Sequence, residues 1–403
     1  MGKQSTSKKR KPASEPTTKS RQLSVNGNRL TLLTGGPERL EALVALIDGA
    51  QHSLRLLYYT FLGDSAGQRV KDALLKAIER GVAVSLLIDG FGSSAAPSDY
   101  FTDLSNAGAK FCRFNPAYGR RYLLRNHQKL ALADGDTSKS RAIIGGFNVA
   151  DDYFREPEPR AWRDIGLIVE GPAAERLAPY YDKLLTWALS KRAKMRALRR
   201  LVRKFSETRG PLQWQMGGPI GGLSPWGIST CRDLTQSRDV EMIAAYFAPT
   251  FGLMKRIARV GGRGRARLIT AAKSDNTATI AAARFTYRRL VNRGVEVFEY
   301  LPTKLHTKLV VLDNIVHIGS SNLDIRSLYL NVELMLRVDD ARFAKMMRAY
   351  FAGELDSCVA ITPQLLKKRA TWLNRIRWAV AFFLVTSLDY GVTRRLNFGL
   401  TTE

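Results

Sequence analysis

The stretch "KLHTKLVVLDNIVHIGSSNLD" (Lys304–Asp324) sets His306, Lys308 and Asn322 around an apolar strand pattern. An upstream counterpart, "NHQKLALADG" followed by "GGFN", supplies His127, Lys129 and Asn148. In an extended strand, residues two apart share a face, so each histidine and its lysine point the same way. Asp134 and Asp313 each lie seven residues beyond their histidine and fall on the opposite face, which gives them a structural role. The small residues of the following turn let backbone and amide donors approach an oxyanion closely. Brought together, two histidines, two lysines and two asparagines form a phosphate cradle that needs no metal. One neutral imidazole can attack phosphorus while the other, protonated, gives its proton to the leaving oxygen. The lysines and amides would neutralise charge on the equatorial oxygens.

An attacking imidazole also needs an acid on its second ring nitrogen. Asp164, in "WRDIGLIV", lies 37 residues after His127, and Glu333, in "NVELMLRV", lies 27 after His306. The first copy carries five extra residues before its glycine pair and five more before its acid, so the two acids correspond. The spacing thus assigns each histidine an orienting acid from its own copy. His52 and His317 lack such companions and read as structural. "GGRGRAR" at 261–267 precedes a strand rather than a helix and reads as a turn.

The elements that must position these residues repeat as well. From "LRLLYYTFLGDSAG" to the first motif, and from "EMIAAYFAPTFGL" to the second, the pattern runs strand, helix, strand, helix, short strand, motif strand. Short apolar runs alternating with helical patterns indicate an α/β fold with a mixed or parallel sheet. The six polar residues can converge if the two copies pack about a pseudo-twofold axis.

The expected organisation has five parts. Residues 1–22 form a disordered basic tail without the apolar run of a secretory signal; its "KKRK" and its Gly2/Thr6 pattern are too short to read as targeting signals. Residues 23–190 form the first domain. Residues 191–227 hold a basic amphipathic helix and a Gly/Pro-rich linker, and 228–360 form the second domain. Residues 361–403 form a basic and apolar C-terminal segment. Its uninterrupted apolar core, Trp378 to Val385, is too short to span a bilayer, which needs about 20 apolar residues. With Trp372, Arg375, Arg377, Trp378, Phe382 and Phe383 it suits a helix lying among lipid headgroups, as an alternative to a helix closing the second domain.

Lys and Arg exceed Asp and Glu by 27 in 403 residues, which implies an anionic partner: nucleic acid, acidic membrane or phosphorylated substrate. Three widely spaced cysteines make neither a disulfide framework nor a metal pattern and suit a reducing compartment.

These residues resemble the two HKD motifs of the phospholipase D superfamily, and more closely its bacterial cardiolipin synthases. The resemblance rests on "NHQKLALADG…GGFN", "WRDIGLIVEGPAAERL", "AYFAPT" and "LHTKLVVLD…GSSNLDIRSLYLNVE", and runs from about Leu30 to Phe351. It implies two repeated phospholipase D-like α/β/α sandwich domains with one active site at their interface, and neither cofactor nor metal. It gives His127 as nucleophile and His306 as general acid, with a phosphatidyl-histidine intermediate. Lys129, Lys308, Asn148 and Asn322 hold the phosphate; Asp164 and Glu333 orient the histidines. The implied reaction joins two phosphatidylglycerol molecules into cardiolipin and releases glycerol. The implied partner is an anionic phospholipid membrane containing phosphatidylglycerol and cardiolipin, and the implied location is the cytoplasmic face of a bacterial inner membrane, peripheral or monotopic. Some relatives carry two N-terminal transmembrane helices where this sequence has a polar basic tail.

Three other readings compete. A hydrolysing phospholipase D would share both motifs, because the choice of water or alcohol is made by the pocket. A nuclease of the superfamily would suit the charge but leaves "FFLV" with its Trp/Arg flanks unexplained. A membrane-binding module with relic motifs is opposed by two intact copies.

Overall fold

The computed structural model describes residues 21–115, 124–190 and 193–387. The first half begins with β1 (Gln22–Val25), β2 (Asn28–Leu33) and α1 (Gly36–Asp48). It continues through β3 (Ser53–Tyr58), α2 (Ser65–Glu79), β4 (Ala83–Asp89), α3 (Thr102–Asn106), β5 (Lys110–Phe114) and β6 (Leu130–Ala133). It closes with β7 (Arg141–Gly145), α4 (Asp151–Phe154), β8 (Trp162–Arg163), β9 (Gly166–Glu170), α5 (Pro172–Glu175) and α6 (Ala178–Leu189).

The second half follows α7 (Met195–Phe205) and opens with β10 (Leu212–Gly217), α8 (Pro225–Gln236), β11 (Asp239–Ala244), β12 (Phe247–Ala248) and α9 (Phe251–Arg263). Next come β13 (Arg265–Ala271), α10 (Thr277–Val291), β14 (Val295–Tyr300), β15 (Lys304–Leu305), β16 (Lys308–Leu312) and β17 (Ile315–Gly319). The chain then runs through β18 (Leu323–Asp324), α11 (Ile325–Tyr329), β19 (Glu333–Asp339), α12 (Ala341–Leu355), β20 (Cys358–Ala360), α13 (Pro363–Arg369) and α14 (Trp372–Ser387).

Each half builds one mixed eight-stranded sheet, and seven strands of each correspond, β2-β9-β7-β6-β3-β4-β5 with β10-β19-β17-β16-β11-β13-β14. The first runs β1-β2-β9-β7-β6-β3-β4-β5 and the second β10-β19-β17-β16-β11-β13-β14-β20. The expected α/β duplication is what folds. Parallel pairs β3–β4–β5 and β11–β13–β14 come from the strand–helix–strand repeats, and the motif strands β6 and β16 pair antiparallel beside them.

Alternate residues of each strand feed different cores, as the pleat requires. Leu54 and Leu56 of β3 pack with α1 and α2, while Leu57 joins Leu130 and Leu132 on the other face. That second face opens into one apolar cluster running through both halves, with Tyr180 and Leu184 of α6 and Phe343, Met347 and Phe351 of α12. A separate core under α8, α9 and α10 fills the far face of the second sheet.

Three expected boundaries move. Arg21 and Gln22 leave the expected tail, since Gln22 already pairs with Thr31 in β1–β2; residues 1–20 lie outside the described residues. Within the expected 191–227 linker, Leu212–Gly217 is an edge strand whose six residues all pair along β19, and α8 starts at Pro225. The glycines around the strand masked it in the sequence. Within 361–403, Ile361 and Leu366 belong to the second domain's core, while residues 388–403 lie outside the described residues. Helix α7 buries Leu198, Leu201 and Val202 and exposes its Arg/Lys face.

Asp134 and Asp313 occupy the β6–β7 and β16–β17 turns, both with positive φ (51° and 49°), a conformation that Asp tolerates better than most residues. The Asp134 carboxylate accepts the amides of Gln51, His52 and Ser53, and that of Asp313 accepts those of Arg238 and Asp239. Each therefore ties its turn to the start of the neighbouring central strand. Asp134→Ala, which strips three amides of their acceptor, should cost about 2–3 kcal/mol and lower the thermal midpoint by several degrees. A melting curve unchanged from wild type would refute that role.

Candidate active site

Glu333 and Asp164 open the acid-bearing strands β19 and the β8–β9 connection, and each is fully buried. The motif segments reach them across the interface. The His127 amide donates to Val332 O at 2.8 Å, in a parallel bridge between Asn126 and Val332. The His306 amide donates to Arg163 O at 2.8 Å, beside the parallel β15–β8 pair.

This exchange corrects the expected partners. His127 Nδ1 lies 3.0 Å from Glu333 Oε2, and His306 Nδ1 lies 2.7 Å from Asp164 Oδ2. Within one half the histidine and acid stand just before β6 and β9, or just before β16 and at the start of β19, strands that have one other between them. Two interstrand steps are about 9.5 Å, too far for a hydrogen bond. The spacing argument identified the right residues and joined them in the wrong pairs.

The two acids are held differently. Burial would raise Asp164, but His306 and Lys308 keep its carboxyl below the usual range, and Ile165 N adds a bond at 2.8 Å. Gly146 is required there, because a Cβ on it would come within 2.6 Å of both Asp164 carboxylate oxygens. Burial pushes Glu333 up to about 7 against the opposing pull of Lys129 and of Ser320, whose hydroxyl donates at 2.5 Å. Ser320 was not among the residues expected from sequence. It stands two residues before Asn322, as Gly146 stands before Asn148, and that alignment was the available signal.

Burial drives both histidines down: His306 to about 3, aided by Lys308, and His127 well below its ordinary value, aided by Lys129, Lys308 and Arg326. Both imidazoles are therefore neutral near pH 7. Burial also lowers Lys308 to about 8 and Lys129 well below its ordinary value. Each lysine donates to the carbonyl of its own histidine, Lys129 at 2.6 Å.

Asn148 and Asn322 line the same cleft, of about 590 Å³, as the two histidines. The Asn148 amide is held by Tyr153 OH at 2.9 Å and Thr60 N at 3.1 Å, whereas Asn322 Oδ1 is buried with no hydrogen-bond partner. Aromatic rings wall the imidazoles: Tyr59 stands 4.9 Å from His127, and Tyr153 and Trp162 stand 5.1 and 5.2 Å from His306. Among the described residues no cluster of His, Cys, Asp and Glu is arranged to hold a metal.

The membrane residues expected from sequence lie on α14, away from this cleft. Trp372 and Phe383 are 70% and 64% exposed, Arg375 and Arg377 are exposed, and Trp378 is half-buried. Phe382 is the exception. It is buried against Ala248 and Ala282, with the Phe285 ring at 4.8 Å, because one step of 100° turns it from solvent to the α10 face.

Two α/β halves sharing one doubled His–Lys–Asn centre define a phospholipase D-type phosphatidyltransferase. The chain belongs to the family described as cardiolipin synthase, PLD-like domain, which matches residues 43–185 and 230–355. Cardiolipin synthase B of Escherichia coli K12 is 30% identical over 88% of this chain and 87% of its own length. Cardiolipin synthase A of Pseudomonas aeruginosa LESB58 is 29% identical over 84% of this chain and 69% of its own. Among solved structures, the phosphatidylserine synthase of Haemophilus influenzae Rd KW20 shares the fold, with a TM-score of 0.71 at 14% identity over 89% of this chain and 95% of that one.

The crossed pairing makes a specific prediction. Glu333→Gln removes the carboxylate that orients a histidine of the other half, and should cut turnover about a hundredfold or more with melting unchanged. Activity near wild type would show that Glu333 does not orient His127.

Proposed function

We propose that the protein joins two phosphatidylglycerol molecules into cardiolipin and glycerol through a phosphatidyl-histidine. Support comes from the crossed histidine–acid pairs, which aim two neutral imidazoles into one cleft, each with a buried lysine bonded to its own carbonyl. In the first step His127 Nε2 attacks phosphorus, a P–N bond forms, and the P–O bond to the departing glycerol breaks. That oxygen takes the proton from His306. An arriving phosphodiester anion favours the imidazolium, and the ionised Asp164 supports it. In the second step the hydroxyl of another phosphatidylglycerol returns a proton to His306 as its oxygen attacks phosphorus. The P–N bond then breaks. Lys129, Lys308, Asn148 and Asn322 carry the charge of the equatorial oxygens.

The test is incubation with phosphatidylglycerol vesicles and analysis of the lipids. Cardiolipin and glycerol in equal amounts are expected, and His127→Ala or His306→Ala should abolish both. Phosphatidic acid without cardiolipin would replace transfer by hydrolysis, and cleaved DNA without a lipid product would indicate a nuclease.

The substrate lies in a bilayer, and α14 supplies a means of reaching it at the cytoplasmic face of a bacterial inner membrane. Trp372, Leu373, Ile376, Val380 and Phe383 recur at helical spacing, and all are 47–70% exposed. Phe251 of α9, 59% exposed and not expected from sequence, stands 6.1 Å from Phe382 and extends the ridge. Arg375 and Arg377 flank it, and the net charge of +27 favours an anionic surface. No helix among the described residues is long and apolar enough to cross a membrane. Ile376→Ser with Phe383→Ser should weaken binding to phosphatidylglycerol vesicles about tenfold or more at unchanged stability. Phe382→Ala should instead lower the melting temperature. Full vesicle binding by the double variant would remove the ridge from the membrane.

A further inference from the structure

Each orienting acid is held at its main-chain carbonyl as well as at its carboxylate, and the two flanks do this differently. On the His127 flank the histidine's own neighbour takes the carbonyl. Gln128 is fully buried and donates its amide to Glu333 O at 3.0 Å and to Tyr180 OH at 2.5 Å. His127 and Gln128 of one half thus grip both ends of a single acid in the other. On the His306 flank the corresponding Thr307 hydroxyl bonds Arg163 O at 3.2 Å, one residue short of the acid.

The carbonyl of Asp164 goes instead to Arg39 of α1, whose Nη1 donates to it at 2.5 Å. Nη1 also lies 3.3 Å from Thr34 O, and Nη2 donates to Tyr153 O at 2.6 Å. Arg39 is 1% exposed and does not line the cleft. Burying a guanidinium this deeply is costly even with carbonyl partners. What the fold gains is a hold on two residues that surround His306. Tyr153 stands 5.1 Å from the His306 ring, and its hydroxyl accepts the Asn148 amide at 2.9 Å. The Arg39 charge also acts on Asp164 and helps to keep that carboxyl ionised. Gly36 permits the contact. A Cβ there would come within 2.1 Å of Arg155 O, so glycine lets the first turn of α1 close on the end of α4.

We propose that Arg39 is a positioning residue for the general-acid pair: by holding the main chain of Asp164 and Tyr153 it fixes where the His306 imidazole points. This rests on the phosphatidyl-transfer reading, in which His306 gives its proton to the departing glycerol oxygen. Proton transfer depends on such alignment, because donor and acceptor must meet within hydrogen-bond reach.

The experiment follows a single turnover of two donors in vesicles with full-length protein in excess. One donor is phosphatidylglycerol. The other is phosphatidyl-p-nitrophenol, whose p-nitrophenolate leaves with the bonding electron pair and needs no proton. With either donor His127 Nε2 forms the P–N bond as the P–O bond breaks. Arg39→Met should slow glycerol release about ten- to a hundredfold and p-nitrophenolate release less than about threefold, in the same sense as His306→Ala. Arg39→Lys, which keeps the charge and can reach one carbonyl, should fall between Arg39→Met and wild type. Both rates come from one protein sample, so a loss of folded molecules lowers them together and leaves their ratio unchanged. A ratio equal to wild type in Arg39→Met would overturn the positioning role and leave the transfer reading intact. The same leaving-group dependence in Gln128→Met, which disturbs the other acid, would also overturn it. Release of p-nitrophenolate kept by His127→Ala and lost by His306→Ala would overturn the order of the histidines in the proposed reaction, and the inference with it.

Discussion

The structure depends on an exchange between its halves: each motif segment lies along the acid-bearing strand of the other repeat. A half on its own leaves its histidine one strand too far from its acid. Docking therefore satisfies both carboxylates and completes both histidine–acid pairs in a single event. The apolar cluster shared by the two sheets supplies the driving force that a polar exchange cannot provide by itself.

The same burial sets the electrostatics. Two lysines, two imidazoles and two carboxyls share a space from which water is largely excluded, and every one of the six is displaced from its ordinary titration range. The displacements run in directions that keep the imidazoles neutral and weaken the lysines' hold on their protons. A phosphate entering this space opposes the penalty, because it adds counter-charge to that of Asp164 and Glu333. The lysine bonds to the carbonyls of their own histidines also stiffen each motif, so little reorganisation is left for the moment of reaction.

Much of this was legible in the sequence, because period-two parity is a local rule. It put each histidine with its lysine and turned Asp134 and Asp313 away, and their carboxylates indeed bind backbone amides. What escaped was set at longer range. Which acid meets which histidine is decided by the docking of the halves, and no spacing within one repeat encodes it. The strand Leu212–Gly217 was hidden among glycines and gains its identity only from pairing with β19. Phe382 and Phe383 are adjacent and chemically identical, and only the α10 face distinguishes the buried one from the exposed one.

That last distinction links the two ends of the proposed function. Phe382 packs on Ala248 and Ala282, a few residues along the chain from Tyr246 and Asp275 in the cleft wall. Below it, Arg369 of α13 and Arg284 of α10 share the buried Glu299 carboxylate, so the whole C-terminal unit is pinned to the second sheet. A ridge so tied cannot swing independently of the cleft. If it rests on lipid, the cleft is held at one orientation to the bilayer. A lipid then arrives with its headgroup presented to the histidines and its chains left in the membrane. Fixing that orientation lowers the entropy lost in aligning a phosphodiester for in-line attack. It also explains why a helix with so much exposed apolar surface follows a segment braced by ion pairs to the buried Glu299 rather than a loose tail.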